Sequence, residues 1–207
     1  MSGRLPDAYF DRIYADSDDP WQFGARWYEQ RKYAITVAVL PFRRYRHAFE
    51  PGCSVGVLTE ALAQRCDRVT ATDVSTAALD ATYRRLSAAR LTDRVHLVRR
   101  SLDEPWPAVP FDLVVLSELC YYLEPETLRQ VLDREVPRLG RPATLVAAHW
   151  RHAVEDYPMS GDQANEIIGQ TAGLHRLGGY LDDDVVIDVF DTASAQSVAE
   201  RTSVPGA

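Results

Sequence analysis

The chain has 207 residues, room for one domain with a substantial core. Its 46% hydrophobic and 26% charged content is that of an ordinary globular protein. A net charge of -7 and a pI near 5.2 argue against a general nucleic-acid binder, which would carry a basic face.

The three cysteines, Cys53, Cys66 and Cys120, form neither a CxxC pair nor a zinc spacing. They read as buried small hydrophobes in a reducing cytoplasm. The opening MSGRLPDAYF lacks the apolar segment of a signal peptide, and no stretch approaches the length of a membrane span. The expectation is a cytoplasmic protein with no membrane partner.

In chain order, Tyr9, Phe10, Ile13 and Tyr14 recur at helical spacing and predict a first helix. Asp18-Asp19-Pro20 breaks that pattern. A second helix is predicted from about Phe23 to about Leu40, ending at Pro41. His47 to Glu50 is a short strand, Pro51 to Gly56 a turn, and Val55 to Arg65 a helix. Arg68 to Thr72 is a second strand, and Ser75 caps the helix that follows through about Ala89. Val95 to Val98 is a third strand, and Phe111 to Leu116 a fourth, apolar enough for burial on both faces. Pro125 to Leu139 reads as an amphipathic helix closed by Gly140, and Ala143 to Ala148 as a fifth strand. A polar insert carrying a helix runs from His149 to about Gly173. Leu174 to Leu181 and Val185 to Phe190, joined by Asp182-Asp183-Asp184, form a hairpin.

This alternation predicts an α/β protein, doubly wound, with a mostly parallel seven-stranded sheet ending in an antiparallel hairpin. Residues 1–192 are expected to be one domain, a helical cap over 1–44 and a core over 45–192. Residues 193–207 are expected to be a flexible tail.

The strongest constellation is Glu50-Pro51-Gly52-Cys53-Ser54-Val55-Gly56, followed by Asp73. Gly52 allows a sharp turn after the first strand, and Gly56 allows close helix packing or close approach of a ligand. Beyond the carboxyl ends of such strands lies the binding crevice of open α/β sheets. Asp73, at the end of the second strand, suits the two hydroxyls of a ribose. The spacing lacks the third glycine of a dinucleotide fingerprint. Glu50 repels a pyrophosphate but suits a cationic ligand end, which favours S-adenosylmethionine over NAD. The same residues also spell G-x-S-x-G, the nucleophile elbow of a serine hydrolase centred on Ser54. Against that reading, the motif follows the first strand and has no upstream oxyanion loop.

These residues resemble class I S-adenosylmethionine-dependent methyltransferases over roughly residues 45–190. The order E-x-G-x-x-x-G, an acidic end to the second strand and a terminal antiparallel pair are shared; Ser54 replaces the usual middle glycine. A narrower resemblance is to the nodulation protein S (NodS) family, whose members N-methylate a glucosamine unit of a lipo-chitooligosaccharide. It is carried by Tyr14, Asp18-Asp19-Pro20-Trp21, Trp27 to Tyr33 and Ser117 to Leu123.

The resemblance implies a Rossmann-like methyltransferase fold with S-adenosylmethionine as cofactor and S-adenosylhomocysteine as product. By it, Gly52, Cys53 and Gly56 line the cofactor site, Glu50 supports the amino-acid end and Asp73 binds the ribose. Val74 packs on the adenine, Ser101 and Leu102 read it, and Ser117 lies beside the methionine portion. Trp21 and Arg31 close over the cofactor, the arginine pairing with its carboxylate or remaining on the surface. An amine acceptor must be neutral to attack, so a base or relay is sought among Glu118, Tyr121, Tyr122 and His149. Packing is the competing role for the tyrosines, and a structural role for the histidine. His149, His152, Glu155 and Asp156 do not match a metal motif, and no metal is expected. The expected function is methyl transfer to a small molecule, an amine such as an amino sugar. Oxygen methylation and non-catalytic cofactor binding are the alternatives.

Overall fold

The computed structural model describes residues 3–17 and 19–206. Helices α1 (Asp7–Asp16) and α2 (Trp27–Ala38) precede the sheet. Then follow β1 (Tyr45–Pro51), α3 (Val57–Arg65), β2 (Cys66–Asp73), α4 (Thr76–Ala88) and β3 (Val95–Arg99). The second half holds β4 (Leu113–Ser117), α5 (Pro125–Glu135), β5 (Thr144–Trp150) and α6 (Gly161–Gly169). It ends with β6 (His175–Leu181), β7 (Val185–Asp191) and α7 (Val198–Arg201).

The strands form one seven-stranded sheet in the order β3-β2-β1-β4-β5-β7-β6. β1 to β5 run parallel, and β7 is antiparallel to both its neighbours. This is the expected fold class. All five residues of β4 are buried because both of its faces are covered. Val114 and Leu116 pack with Leu128 and Leu132 of α5, while Leu113 and Val115 pack in a second core with Leu58 and Leu62 of α3. The chain therefore leaves the adjacent strands β1 and β4 toward opposite faces. The crevice opened between them at their carboxyl ends is where an open α/β sheet binds its ligand.

Several boundaries differ from the sequence reading. Asp18, first residue of the expected helix break, lies outside the described residues. α2 starts at Trp27 instead of Phe23 because Asp19 diverts the chain. Its carboxylate accepts from Phe23 N at 2.9 Å and Gly24 N at 3.1 Å, holding a turn in place of a helix. β4 begins at Leu113, since Asp112 spends its side chain on the amides of Arg46 and His47. β5 runs on to Trp150, with His149 and Trp150 paired to Val186 and Val185. His149 thus belongs to the sheet and not to the insert. In the insert, α6 starts at a capping box between Ser160 and Gln163.

The end of the chain, expected as a flexible tail, contains α7. Arg201 pairs with the fully buried Asp191 at 2.8 Å and lies over the Phe42 ring. Among the described residues, no helix is long and apolar enough to cross a membrane.

Candidate functional site

The turn after β1 is built around Asp73. Its Oδ2 accepts from Ser54 N and its Oδ1 from Ser75 N, both at 2.9 Å. Two backbone donors hold the carboxylate while each oxygen keeps capacity for another bond. Burial pushes Asp73 up to about 6, with those amides pulling the other way. Gly52 takes φ +71° and its missing side chain would meet Leu119, so the turn needs glycine there. Ser54, at the middle motif position, also has positive φ. Its hydroxyl is 2.5 Å from the Tyr14 hydroxyl, and its carbonyl accepts from Thr82.

Glu50 lies deeper, 3% exposed, and its Oε2 has no hydrogen-bond partner among the described residues. Burial pushes its carboxyl up to about 8, opposed by the neighbouring Thr59 hydroxyl. Ser117 Oγ, at the end of β4, is likewise buried without a partner. Buried polar atoms are nearly always satisfied, so two orphans facing one space mark a place where a ligand supplies donors.

That space is a cavity of about 390 Å³ between α1, α2 and the strand ends. It is lined by Trp21, Glu50, Gly52, Cys53, Asp73 and Val74 of the expected cofactor set. Ser101, Leu102 and Ser117 join them, as do Glu118, Tyr121 and Tyr122 of the expected catalytic set. Trp21 stacks on Phe23 at 5.4 Å and meets the edge of Tyr14 at 5.6 Å. The Ser101 hydroxyl donates to Asp103.

Three expected residues lie elsewhere. Gly56 begins α3 at φ +76°, and a Cβ there would stand 2.7 Å from the Thr82 side chain. It serves the packing of α3 on α4 and does not line the cavity. Arg31 turns outward from α2, pairing with Asp182 at 2.9 Å and with the Tyr180 hydroxyl. It fastens α2 to the terminal hairpin in place of a cofactor carboxylate. His149 is fully buried beneath the cavity floor with both ring nitrogens committed. Nε2 accepts from Cys120 N at 3.3 Å, and Nδ1 donates to Asn165 Oδ1 at 2.6 Å. Asn165 in turn donates to Asp188 at 2.7 Å. Burial holds the imidazole below its ordinary pKa. It is a neutral strut for the Cys120 turn, not a base in contact with substrate.

The sequence reading missed a charged cluster on α2. Lys32 is 1% exposed and its ammonium lies 2.7 Å from Glu29 Oε2 and 2.8 Å from Glu118 Oε1. The same ammonium sits over the rings of Phe23, Tyr28 and Tyr33. Glu118 Oε2 accepts from the Tyr121 hydroxyl and from Trp150 N. Burial raises the Glu118 carboxyl, but Lys32 and the Tyr121 hydroxyl together outweigh it and hold the group below its ordinary pKa. Glu118 is therefore an ionised anchor whose two oxygens already accept three hydrogen bonds. Tyr28, Glu29, Lys32 and Tyr33 share one helix face, a 1-2-5-6 pattern that marks an inward stripe.

Beside the cluster stands an aromatic wall. Tyr121 and Tyr157 stack at 4.9 Å, and Tyr122 lies edge-on to both. Among the described residues, no group of three or more His, Cys, Asp or Glu is arranged to hold a metal ion.

The residues present fit S-adenosylmethionine. Glu50 and Ser117 offer unpaired acceptors for its ammonium, and Asp73 offers the ribose site. Val74 and Leu102 supply apolar walls for a base. A serine hydrolase fits poorly, because the Ser54 hydroxyl is bonded to a phenol and not to an imidazole.

The family profile of Nodulation protein S (NodS) matches residues 10–157. The chain is 28% identical to Nodulation protein S of Bradyrhizobium diazoefficiens, covering 88% of this chain and 91% of that protein. It is 30% identical to the Sinorhizobium fredii protein of the same name, covering 86% and 85%. With the Rhizobium tropici counterpart it is 35% identical over 52% of this chain, and the match spans 44% of that protein. Among solved structures, N-methyltransferase NodS from Bradyrhizobium japonicum in complex with S-adenosylhomocysteine has the same fold. Its TM-score is 0.75 at 22% identity, covering 89% of this chain and 96% of that one. A Pseudomonas syringae protein assigned as a methyltransferase is 37% identical, with TM-score 0.69, covering 80% and 99%.

Proposed function

The chain belongs to the nodulation protein S family of S-adenosylmethionine-dependent methyltransferases, and we propose that it methylates the amine nitrogen of a small molecule such as an amino sugar. The observation that carries this reading is the pair of orphaned acceptors, Glu50 Oε2 and Ser117 Oγ, in a cavity whose far wall is acidic and aromatic. The first feature suits a cationic cofactor and the second a cationic acceptor.

Asp73, Val74, Ser101 and Leu102 would hold the adenosine, and Glu50 with Ser117 the methionine ammonium. Bound there, the cofactor supplies an activated methyl group on a sulfonium, a good leaving group. The protein's remaining work is alignment, which by itself accounts for a large share of such rate enhancements. Tyr121 and Glu118 are braced against each other, and Glu118 is braced by Lys32 and the Trp150 amide. The acceptor side of the cavity is thereby rigid before substrate arrives. Domain limits follow the same logic: residues 1–192 would act as one unit, α1 and α2 covering a site built on the sheet.

Calorimetric titration with S-adenosylhomocysteine and NAD tests the cofactor, and an acceptor panel of amines, hydroxyls and thiols tests the reaction. Product S-adenosylhomocysteine is expected only with primary amines, amino sugars foremost. Turnover restricted to hydroxyl acceptors would overturn the amine assignment. Failure to bind S-adenosylhomocysteine would remove the cofactor assignment itself.

A further inference from the structure

The cavity contains polar atoms that the cofactor set does not use, two of them on the inward face of α2. Tyr28 lines the cavity, and its hydroxyl is buried with no hydrogen-bond partner among the described residues. Glu29 is 7% exposed and also lines it. Its ion-pair partner is Lys32, at 2.7 Å from Oε2, yet that oxygen receives no well-aligned hydrogen bond. The ammonium is shared, since Glu118 draws it from the other side at 2.8 Å. Glu118 accepts three hydrogen bonds, from Lys32, Tyr121 and Trp150 N, whereas Glu29 Oε2 accepts none among the described residues. Two carboxylates against one ammonium leave the cluster one negative charge in excess. A buried charge is tolerated only when paired, and beyond Lys32 the cation that Glu29 feels is the exposed Arg26 at the cavity lining, so the cluster has a place for one more buried cation.

We propose that Tyr28 and Glu29 form the docking site of the acceptor amine, with Glu29 receiving the proton that a primary ammonium loses before its nitrogen attacks. This rests on the amine reading above. The atoms define the class of group. An ammonium brings three donors and one positive charge, which match a carboxylate oxygen and a phenol oxygen with capacity to spare. A hydroxyl acceptor brings a single donor and no charge, and leaves the excess negative charge unpaired. Aromatic faces complete the slot: Trp150 meets Tyr28 edge-on at 5.1 Å, and aromatic rings favour cations.

The step balances. One proton passes from R–NH3+ to the Glu29 carboxylate, freeing the nitrogen lone pair. The N–C bond forms as the C–S bond breaks, with that electron pair staying on sulfur as the neutral thioether. The product R–NH2+–CH3 keeps the remaining positive charge, and Glu29 later gives its proton to solvent. Burial raises the proton affinity of Glu29, against the pull of Lys32, which suits it to this exchange.

The test compares wild type, Glu29→Gln and Tyr28→Phe with a de-N-acetylated chitin tetramer as amine probe. Product formation is followed from about pH 6.5 to about pH 9.5, and S-adenosylhomocysteine affinity is measured by calorimetry. Glu29→Gln should keep that affinity within about twofold and lose about a hundredfold in kcat/KM at neutral pH, within the usual range for a lost proton acceptor. The deficit should shrink once pH exceeds the amine's own pKa, because the acceptor then arrives neutral. Tyr28→Phe should raise KM more than it lowers kcat. A deficit equal at every pH, no deficit, or a parallel loss of S-adenosylhomocysteine affinity would each overturn the docking site while wild type still methylates the amine. Wild type that methylates hydroxyl probes and no amine would overturn the amine reading and this site with it.

Discussion

Glu50 offers the most quantitative check on the cofactor site. With its carboxyl pushed up to about 8, only about one protein in ten carries the charged form at pH 7. Pairing with a ligand ammonium requires that form. Binding at pH 7 should therefore release close to one proton and be weaker by about 1.4 kcal/mol than with Glu50 ionised beforehand. Affinity should rise almost tenfold between about pH 6 and about pH 7, then flatten above the pKa. The assay is calorimetric titration of S-adenosylhomocysteine in buffers of differing ionisation enthalpy, which counts protons directly. Glu50→Gln should abolish the release. It should also stabilise the unliganded protein near pH 8, and the sign follows from linkage. The folded pKa of about 8 exceeds the ordinary 4.5, so the folded state loses stability as pH rises from 4.5 through 8. An uncharged amide escapes that loss. A proton count near zero at pH 7, with pH-independent affinity, would refute the placement of the ammonium at Glu50.

Three further outcomes are expected. Asp73→Ala should weaken S-adenosylhomocysteine binding by about 1.5–3 kcal/mol, the range for charge-assisted hydrogen bonds, and calorimetry showing unchanged affinity would relocate the ribose. Lys32→Met strands Glu29 and Glu118 without a counter-charge and should cost about 3–5 kcal/mol in urea unfolding. A near-wild-type midpoint would mean the cluster is wetter than its burial implies. His149→Ala should lower stability by about 1–3 kcal/mol by leaving Cys120 N and Asn165 Oδ1 unpaired. It should leave the shape of the pH–rate profile intact, and loss of a profile limb would restore the histidine to catalysis.

Local chemistry explains what was legible in the residues alone. The alternation of short apolar runs with amphipathic segments dictated a parallel sheet, because each period leaves a face that only the other element type can cover. Glu50, Gly52 and Asp73 were readable because they sit at strand ends, where chain order and the sheet's polarity together place a crevice. The electrostatic argument from Glu50 to a cationic ligand also needed nothing beyond its position.

What sequence could not decide was direction. Arg31 and Lys32 are neighbours on one helix, yet 100° of rotation sends one to the hairpin and the other into the cavity. Gly56 carried two readings until Thr82 was found where its side chain would be. His149 stood at a strand end in the linear pattern, but antiparallel pairing with β7 extended β5 past it and buried it. The Glu29–Lys32–Glu118 cluster joins α2 to a residue 86 positions beyond Lys32. Composition, periodicity and motif spacing therefore determined the class of fold and the strand-end turn of Glu50, Gly52 and Asp73. Only tertiary packing, which sets which side of each helix meets the sheet and which charges lose their water, brought Glu29, Lys32 and Glu118 together.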